Sequence, residues 1–108
     1  MPPLDDVPFR ETRYRGVAVH FYAHEQATRR VLAMIRMAPG CGYPRHHHRG
    51  AEEVLVLRGG YHDELGEYRA GTFVRYEPGT EHGPTALAGA EPCVLLALAH
   101  EGVELLGG

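Results

Sequence analysis

Glycine and proline interrupt this chain so often that no long helix fits along it. Fourteen Gly and eight Pro fall among 108 residues, and the short apolar runs between them recur about every ten residues. Short runs at this spacing, each bounded by turn residues, predict an all-β sandwich or barrel. Strands are expected at 16–21, 30–37, 52–58, 60–63, 67–70, 72–76 and 93–99. Turns are expected at Pro39-Gly40, Gly59-Gly60, Glu64-Leu65-Gly66, Pro78-Gly79 and Ala88-Gly89-Ala90. Residues 61–68 read as a hairpin with Gly66 supplying a positive φ. Residues 23–30 hold helix formers and suit a short helix as well as a loop or surface hairpin. Three prolines and two aspartates in the first nine residues predict an extended arm over 1–14, leaving 15–108 as one barrel domain.

A chain of this length buries roughly 65% of its unfolded surface, enough for one core and too little for two domains. Its hydrophobic content is 44% and its formal charge is −3. That balance argues against nucleic acid or an anionic membrane as partner, since both require a basic patch. No apolar stretch approaches the ~20 residues of a membrane span, and the N-terminus lacks a basic-then-apolar leader, so a cytoplasmic location is expected. Cys41 and Cys93 form no CxxC pair. Two buried free thiols in a reducing compartment are therefore expected.

Histidine carries the chemical signal: eight residues, three of them consecutive. Strict strand alternation puts His46, His48, Glu52, Val54 and Val56 on one face, and His47, Glu53, Leu55 and Leu57 on the other. Both faces turn apolar beyond residue 53. One face then lines a lumen and the other meets a further layer. Two His at i and i+2 project side by side, close enough to grip one ion, and Glu52 has the parity to add a carboxylate oxygen. His82, after the Pro78-Gly79 turn, supplies a fourth donor from a neighbouring strand. Three imidazoles and one carboxylate suit one divalent ion: iron, zinc, nickel, manganese or copper.

The glycines around these donors extend the pattern to Gly40-x5-His46-x-His48-x3-Glu52-x6-Gly59 and Gly71-x5-Glu77-Pro78-Gly79-x2-His82. Both segments resemble the two signature motifs of the cupin superfamily. The resemblance implies a double-stranded β-helix, a jelly-roll barrel, with His46, His48, Glu52 and His82 binding one metal, iron or zinc being favoured. Glu77 stands where a proline is usual and Ala86 where an Asn often follows. The stretches Ile35-Arg36-Met37-Ala38-Pro39-Gly40, Gly50-Ala51-Glu52-Glu53-Val54-Leu55-Val56-Leu57-Arg58-Gly59 and Asp63-Glu64-x-Gly66-x-Tyr68-x-x-Gly71 resemble the ChrR-type anti-sigma factor cupin branch, over about residues 15–98. Such domains occur fused to a zinc-binding anti-sigma domain with an HxxxCxxC motif. This chain carries no such motif, so sigma-factor inhibition is not expected of it.

Stand-alone relatives in that branch include dioxygenases acting on small ketones. The resemblance thus implies a mononuclear, dioxygenase-like metalloenzyme for a small diketone, phenolic ketone or similar oxygen-chelating substrate. Glu52 would serve as base as well as ligand. Two alternatives stand beside it: a non-catalytic zinc- or ligand-sensing module, and a metal-dependent isomerase. Exposed sheet edges favour a homodimer, with the segment around 12–20 pairing or swapping.

The remaining residues have plainer readings. His47 faces outward, and His20, His24, His62 and His100 are surface or structural. Glu53 is the rival carboxylate, and a bulge at Gly50 would exchange it with Glu52. Cys41 and Cys93 pack as small hydrophobes. Arg36 and Arg75 form ion pairs with Glu77 or Glu53. Tyr76, Phe73, Met34 and Met37 fill the core or line the lumen.

Overall fold

The computed structural model describes residues 3–101 and the short strand at 103–105. Met1 and Pro2 of the expected arm, and Gly102 and 106–108 of the expected domain, lie outside the described residues. After a 3-10 turn at Leu4–Asp6 come β1 (Arg10–Glu11), β2 (Val17–Glu25), β3 (Arg30–Met37), β4 (His46–His48), β5 (Glu52–Arg58) and β6 (Gly60–Asp63). Then follow β7 (Gly66–Arg69), β8 (Phe73–Tyr76), β9 (Glu81–His82), β10 (Thr85–Ala86), β11 (Cys93–Ala99) and β12 (Val103–Leu105). The fold is all-β, a cupin jelly roll. Among the described residues no helix is long and apolar enough to cross a membrane.

One six-stranded sheet runs β1-β2-β3-β11-β5-β8, and two three-stranded sheets run β10-β6-β7 and β12-β4-β9. The large sheet's central strands are mostly apolar, and their register stacks inward residues in rows. Met37 lies opposite Cys93, Ile35 opposite Leu95, Ala33 opposite Ala97 and Val31 opposite Ala99. Across β11 and β5, Leu95 faces Val56, Ala97 faces Val54 and Ala99 faces Glu52. Side chains such as Met37, Val56 and Cys93 are sealed from solvent, each contributing about 1.5–3 kcal/mol for a residue of Val to Met size.

The outer face of this sheet is covered by the chain's beginning. Val7 is buried with Met34 and Val94, and Leu4, Phe9, Leu57 and Leu96 pack against them. β1 pairs with β2, Arg10 opposite Val19 and Glu11 opposite Ala18.

Several expectations need correction. Of the readings open for residues 23–30 the hairpin is the one observed: β2 runs on to Glu25, Arg29 takes a positive φ of 60°, and Arg30 bridges back to Glu25 at 2.9 Å. Gly66 is not in the left-handed region; the 63–66 turn closes because Asp63 Oδ1 accepts the Leu65 and Gly66 N–H groups at 2.8 and 3.1 Å. The run 46–56 is two strands in two sheets. Phe73 is 60% exposed, because it shares the outer face of β8 with Arg75. Arg36 pairs with Glu11 at 3.3 Å and lies over the Phe9 ring, its strand position facing the N-terminal cover.

Candidate metal centre

β4 consists of the three histidines alone, and alternation buries His46 and His48 while leaving His47 half-exposed. The chain then turns through Arg49-Gly50-Ala51 into the other layer. Gly50 is required there, since a Cβ would meet the His100 carbonyl oxygen at 2.3 Å. Three intervening residues preserve parity, so Glu52 enters β5 facing inward. β9 pairs with β4 and places His82 directly opposite His46. The preceding turn is tied to the same strand: His48 N–H donates to the Thr80 carbonyl at 2.9 Å, and Gly79, at φ +92°, donates to the His48 carbonyl at 2.8 Å.

These elements bring one donor atom each from His46, His48, Glu52 and His82 within 4.8 Å of one another. The His46 and His48 Nε2 atoms are 3.0 Å apart, and His48 Nε2 lies 3.0 Å from Glu52 Oε1. His82 Nε2 lies 3.9 Å from the same oxygen. Neighbouring donors bound to one ion at about 2.1 Å are about 3 Å apart. All four residues are buried, with His48 fully sealed.

The electrostatics suit a cation. Burial drives the His46 imidazole down to about 4, against the raising effect of its bond to the Pro44 carbonyl. His82 is likewise lowered by burial, although Asp63 opposes this. The lowered His46 and His82 imidazoles add no positive charge beside Glu52, and a buried carboxylate without a counter-charge is costly. His46 Nδ1–H donates to the Pro44 carbonyl at 2.8 Å and His82 Nδ1–H to Asp63 Oδ2 at 2.9 Å, so both Nε2 atoms present lone pairs to the cluster. His82 Nε2 is buried with no hydrogen-bond partner. Such an atom among three other donors fits a metal ion.

A cavity of about 200 Å³ opens onto His46, Glu52 and His82. Tyr43, Tyr61 and Pro84 also line it, and the rest of its wall is aliphatic or aromatic, with Val19, Phe21, Val31, Ala97 and Ala99 among the residues. No Arg lines it among the described residues. Its mostly apolar wall suits one small, largely apolar molecule.

The other sequence-derived candidates fall outside this cluster. His47 Nδ1 lies 3.5 Å from Glu81 on the outer side. Glu53 faces outward, 3.2 Å from His100 Nε2 and 3.7 Å from Arg75, which also pairs with Glu77 at 2.7 Å. Cys93 is fully buried and its thiol is pushed up to about 12 by burial; Cys41 is a free thiol packed beside Gly16. Sequence reasoning missed Asp63, Tyr61 and Tyr76 as neighbours of the site. Asp63 stood within the Asp63-Glu64-x-Gly66 run that carried the family resemblance.

Residues 3–101 match the family model of the ChrR cupin-like domain. The chain belongs to the ChrR cupin-like family. It is 40% identical over 67 residues to the anti-sigma-E factor ChrR of Cereibacter sphaeroides, covering 62% of this chain and 31% of that protein. The crystal structure of Rhodobacter sphaeroides SigE in complex with the anti-sigma ChrR superposes with a TM-score of 0.76 at 31% identity, over 90% of this chain and 50% of that one. This ChrR-like cupin thus spans from about a third to half the length of these relatives. An acetylacetone dioxygenase from Acinetobacter johnsonii shares the fold, with a TM-score of 0.84 at 14% identity over 99% of this chain and 77% of that one.

Proposed function

We propose that this ChrR-like cupin holds one divalent metal ion, iron or zinc, on His46, His48, Glu52 and His82, and acts on a small oxygen-chelating molecule beside it by dioxygenase-like chemistry. The observation that carries this reading is the apolar cavity opening onto three of the four donors. A small diketone or phenolic ketone fits: its oxygens reach the donor cluster and its hydrocarbon part lies along the aliphatic wall. When bound, the metal supplies Lewis-acid polarisation of the substrate oxygens and, as iron, a redox partner for O₂.

The protein's own contribution is positional. The His46 and His82 imidazoles stay neutral and keep their Nε2 lone pairs inward. Glu52, on the cavity wall, offers a carboxylate oxygen that accepts the proton of an enolisable substrate. The apolar wall excludes water around it. Two copies associating along the edge of β2 belong to the same proposal; β1 already covers Ala18 and Val19, which leaves His20–Glu25 as the free stretch.

Elemental analysis of untagged protein, purified without a nickel column, tests this reading. Near-stoichiometric iron and O₂ uptake with small diketones or phenolic ketones is the expected result. Stoichiometric zinc without O₂ uptake would instead carry a second reading, a non-catalytic sensing module working with a protein partner. The 40% identity to an anti-sigma factor favours that reading. No metal after anaerobic reconstitution would overturn both.

A further inference from the structure

We propose that Asp63 is the positioning residue of the centre: held rigidly by its own turn, it sets the His82 proton on Nδ1, turns Nε2 toward the other donors, and links that ligand through Tyr76 to Tyr61 in the cavity wall. This rests on the metal reading above. The Asp63 side chain has no exposed surface, and all its acceptor positions are used. Oδ1 accepts the Leu65 and Gly66 N–H groups at 2.8 and 3.1 Å, and Oδ2 accepts Tyr76 O–H at 2.6 Å and His82 Nδ1–H at 2.9 Å. An ionised carboxylate has about four acceptor sites and no donor. Burial opposes ionisation here, but the bonds from Tyr76, His82 and Leu65 outweigh it and hold the carboxyl below its ordinary range.

Proton counting gives the chain a direction. Tyr76 has one hydrogen and gives it to Asp63, so the 2.6 Å contact between Tyr61 and Tyr76 runs from Tyr61 as donor. Burial pushes both phenols well above their ordinary range, which keeps them protonated for this role. Tyr61 lines the cavity. One unbroken row of bonds therefore joins the substrate space to a metal ligand. The neighbouring residue grips the same strands: Glu64 accepts Gly83 N–H at 3.0 Å, immediately after His82, and pairs with Arg45, immediately before His46. The Asp63-Glu64 turn thus clamps both strands that carry the imidazoles.

Asp63→Asn separates positioning from mere turn formation. Its amide oxygen keeps the two backbone N–H bonds of the turn, which points the NH₂ group at His82 Nδ1. The expected result in metal-free protein is a shift of His82 from the Nδ1–H to the Nε2–H tautomer, read by long-range ¹H–¹⁵N correlation. Cobalt(II) affinity in chelator competition should fall about 10- to 100-fold. A variant that folds with His82 still protonated on Nδ1 and cobalt affinity within about twofold of wild type, well short of the loss expected for an outer ligand-orienting partner, would overturn the proposal. The wild-type spectrum tests it without any variant, since a dominant His82 Nε2–H tautomer there would also overturn it. If the tautomer inverts as expected while neither protein takes up cobalt, the metal reading fails and the positioning of His82 by Asp63 stands.

Discussion

The two ends of the barrel interior are built from the same three strands and have opposite outcomes. At one end β3, β11 and β5 contribute Met37, Cys93 and Val56, which close with Val17 into a sealed core, Met37 also lining the cavity. At the other end the same strands contribute Ala33, Ala97 and Ala99, with Glu52 opposite Ala99, and a cavity opens. Between β3 and β11 the register continues unchanged, while β11 shifts against β5 between Val94 and Leu95; along these rows side-chain volume falls. The difference teaches that a jelly roll makes room for chemistry by substituting small residues along inward rows, since close-packed interiors leave few voids otherwise.

The largest expected effect is at the open end. His48→Ala should abolish stoichiometric metal binding, measured by elemental analysis after reconstitution, because it removes a fully buried donor from the centre of the set. Next comes a direct contrast of the two ends. Met37→Ala should cost about 2–5 kcal/mol in urea unfolding, whereas Ala97→Leu should cost less than about 1.5 kcal/mol, since it grows into existing space. Ala97→Leu should nevertheless abolish uptake of an apolar probe such as a small aryl ketone. Equal costs for the two substitutions would break the comparison.

The ends should also differ in pH. His46 stays neutral in the folded protein down to about 4, while its unfolded counterpart binds a proton near 6.5. Its contribution to metal-free stability is therefore present above 6.5 and lost as the pH falls toward 4. Cys93 works in the other direction, its contribution being present below the ordinary thiol value of 9.0 and lost as the pH rises toward 12. Each is worth at most about 3–4 kcal/mol. Denaturant unfolding across pH should show Cys93→Ala flattening only the alkaline limb; flattening of the acid limb instead would contradict the assignment. The smallest effect is expected for His47→Ala, within about 0.5 kcal/mol of wild type and with full metal content. A metal loss matching that of His48→Ala would mean the parity of β4 is wrong.

Much of this was legible in the residues. The strands at 30–37, 52–58, 60–63 and 93–99 match their observed bounds, because each is a clean apolar or alternating run between strong turn signals. The clustering of His46, His48 and Glu52 was legible through parity, which survived the break between β4 and β5 because three residues separate His48 from Glu52. The two-residue strands β1, β9 and β10 were not, since so short a segment has no periodicity to read and forms only where a partner edge is waiting. Residues 23–30 left helix, loop and hairpin open because local helix propensity competes with strand pairing, and the pairing of β2 with β3 decided for the hairpin. Arg36 found Glu11 rather than Glu53 or Glu77 because which outward charges meet depends on how the N-terminal segment crosses the sheet.

By itself, then, the sequence carried the all-β class, the resemblance to the family and the set His46, His48, Glu52 and His82 that the fold brings together; the first and the His46-His48-Glu52 grouping follow from short-range spacing and alternation. Only the tertiary structure decided which side chains stand behind those donors. Asp63 reaches His82 across nineteen positions of chain, and Tyr61 reaches Tyr76 across fifteen. Such contacts depend on how two sheets fold over one another, and no local pattern of residues encodes that distance. The same holds for the cavity, which exists because small residues far apart in the chain were brought into one row.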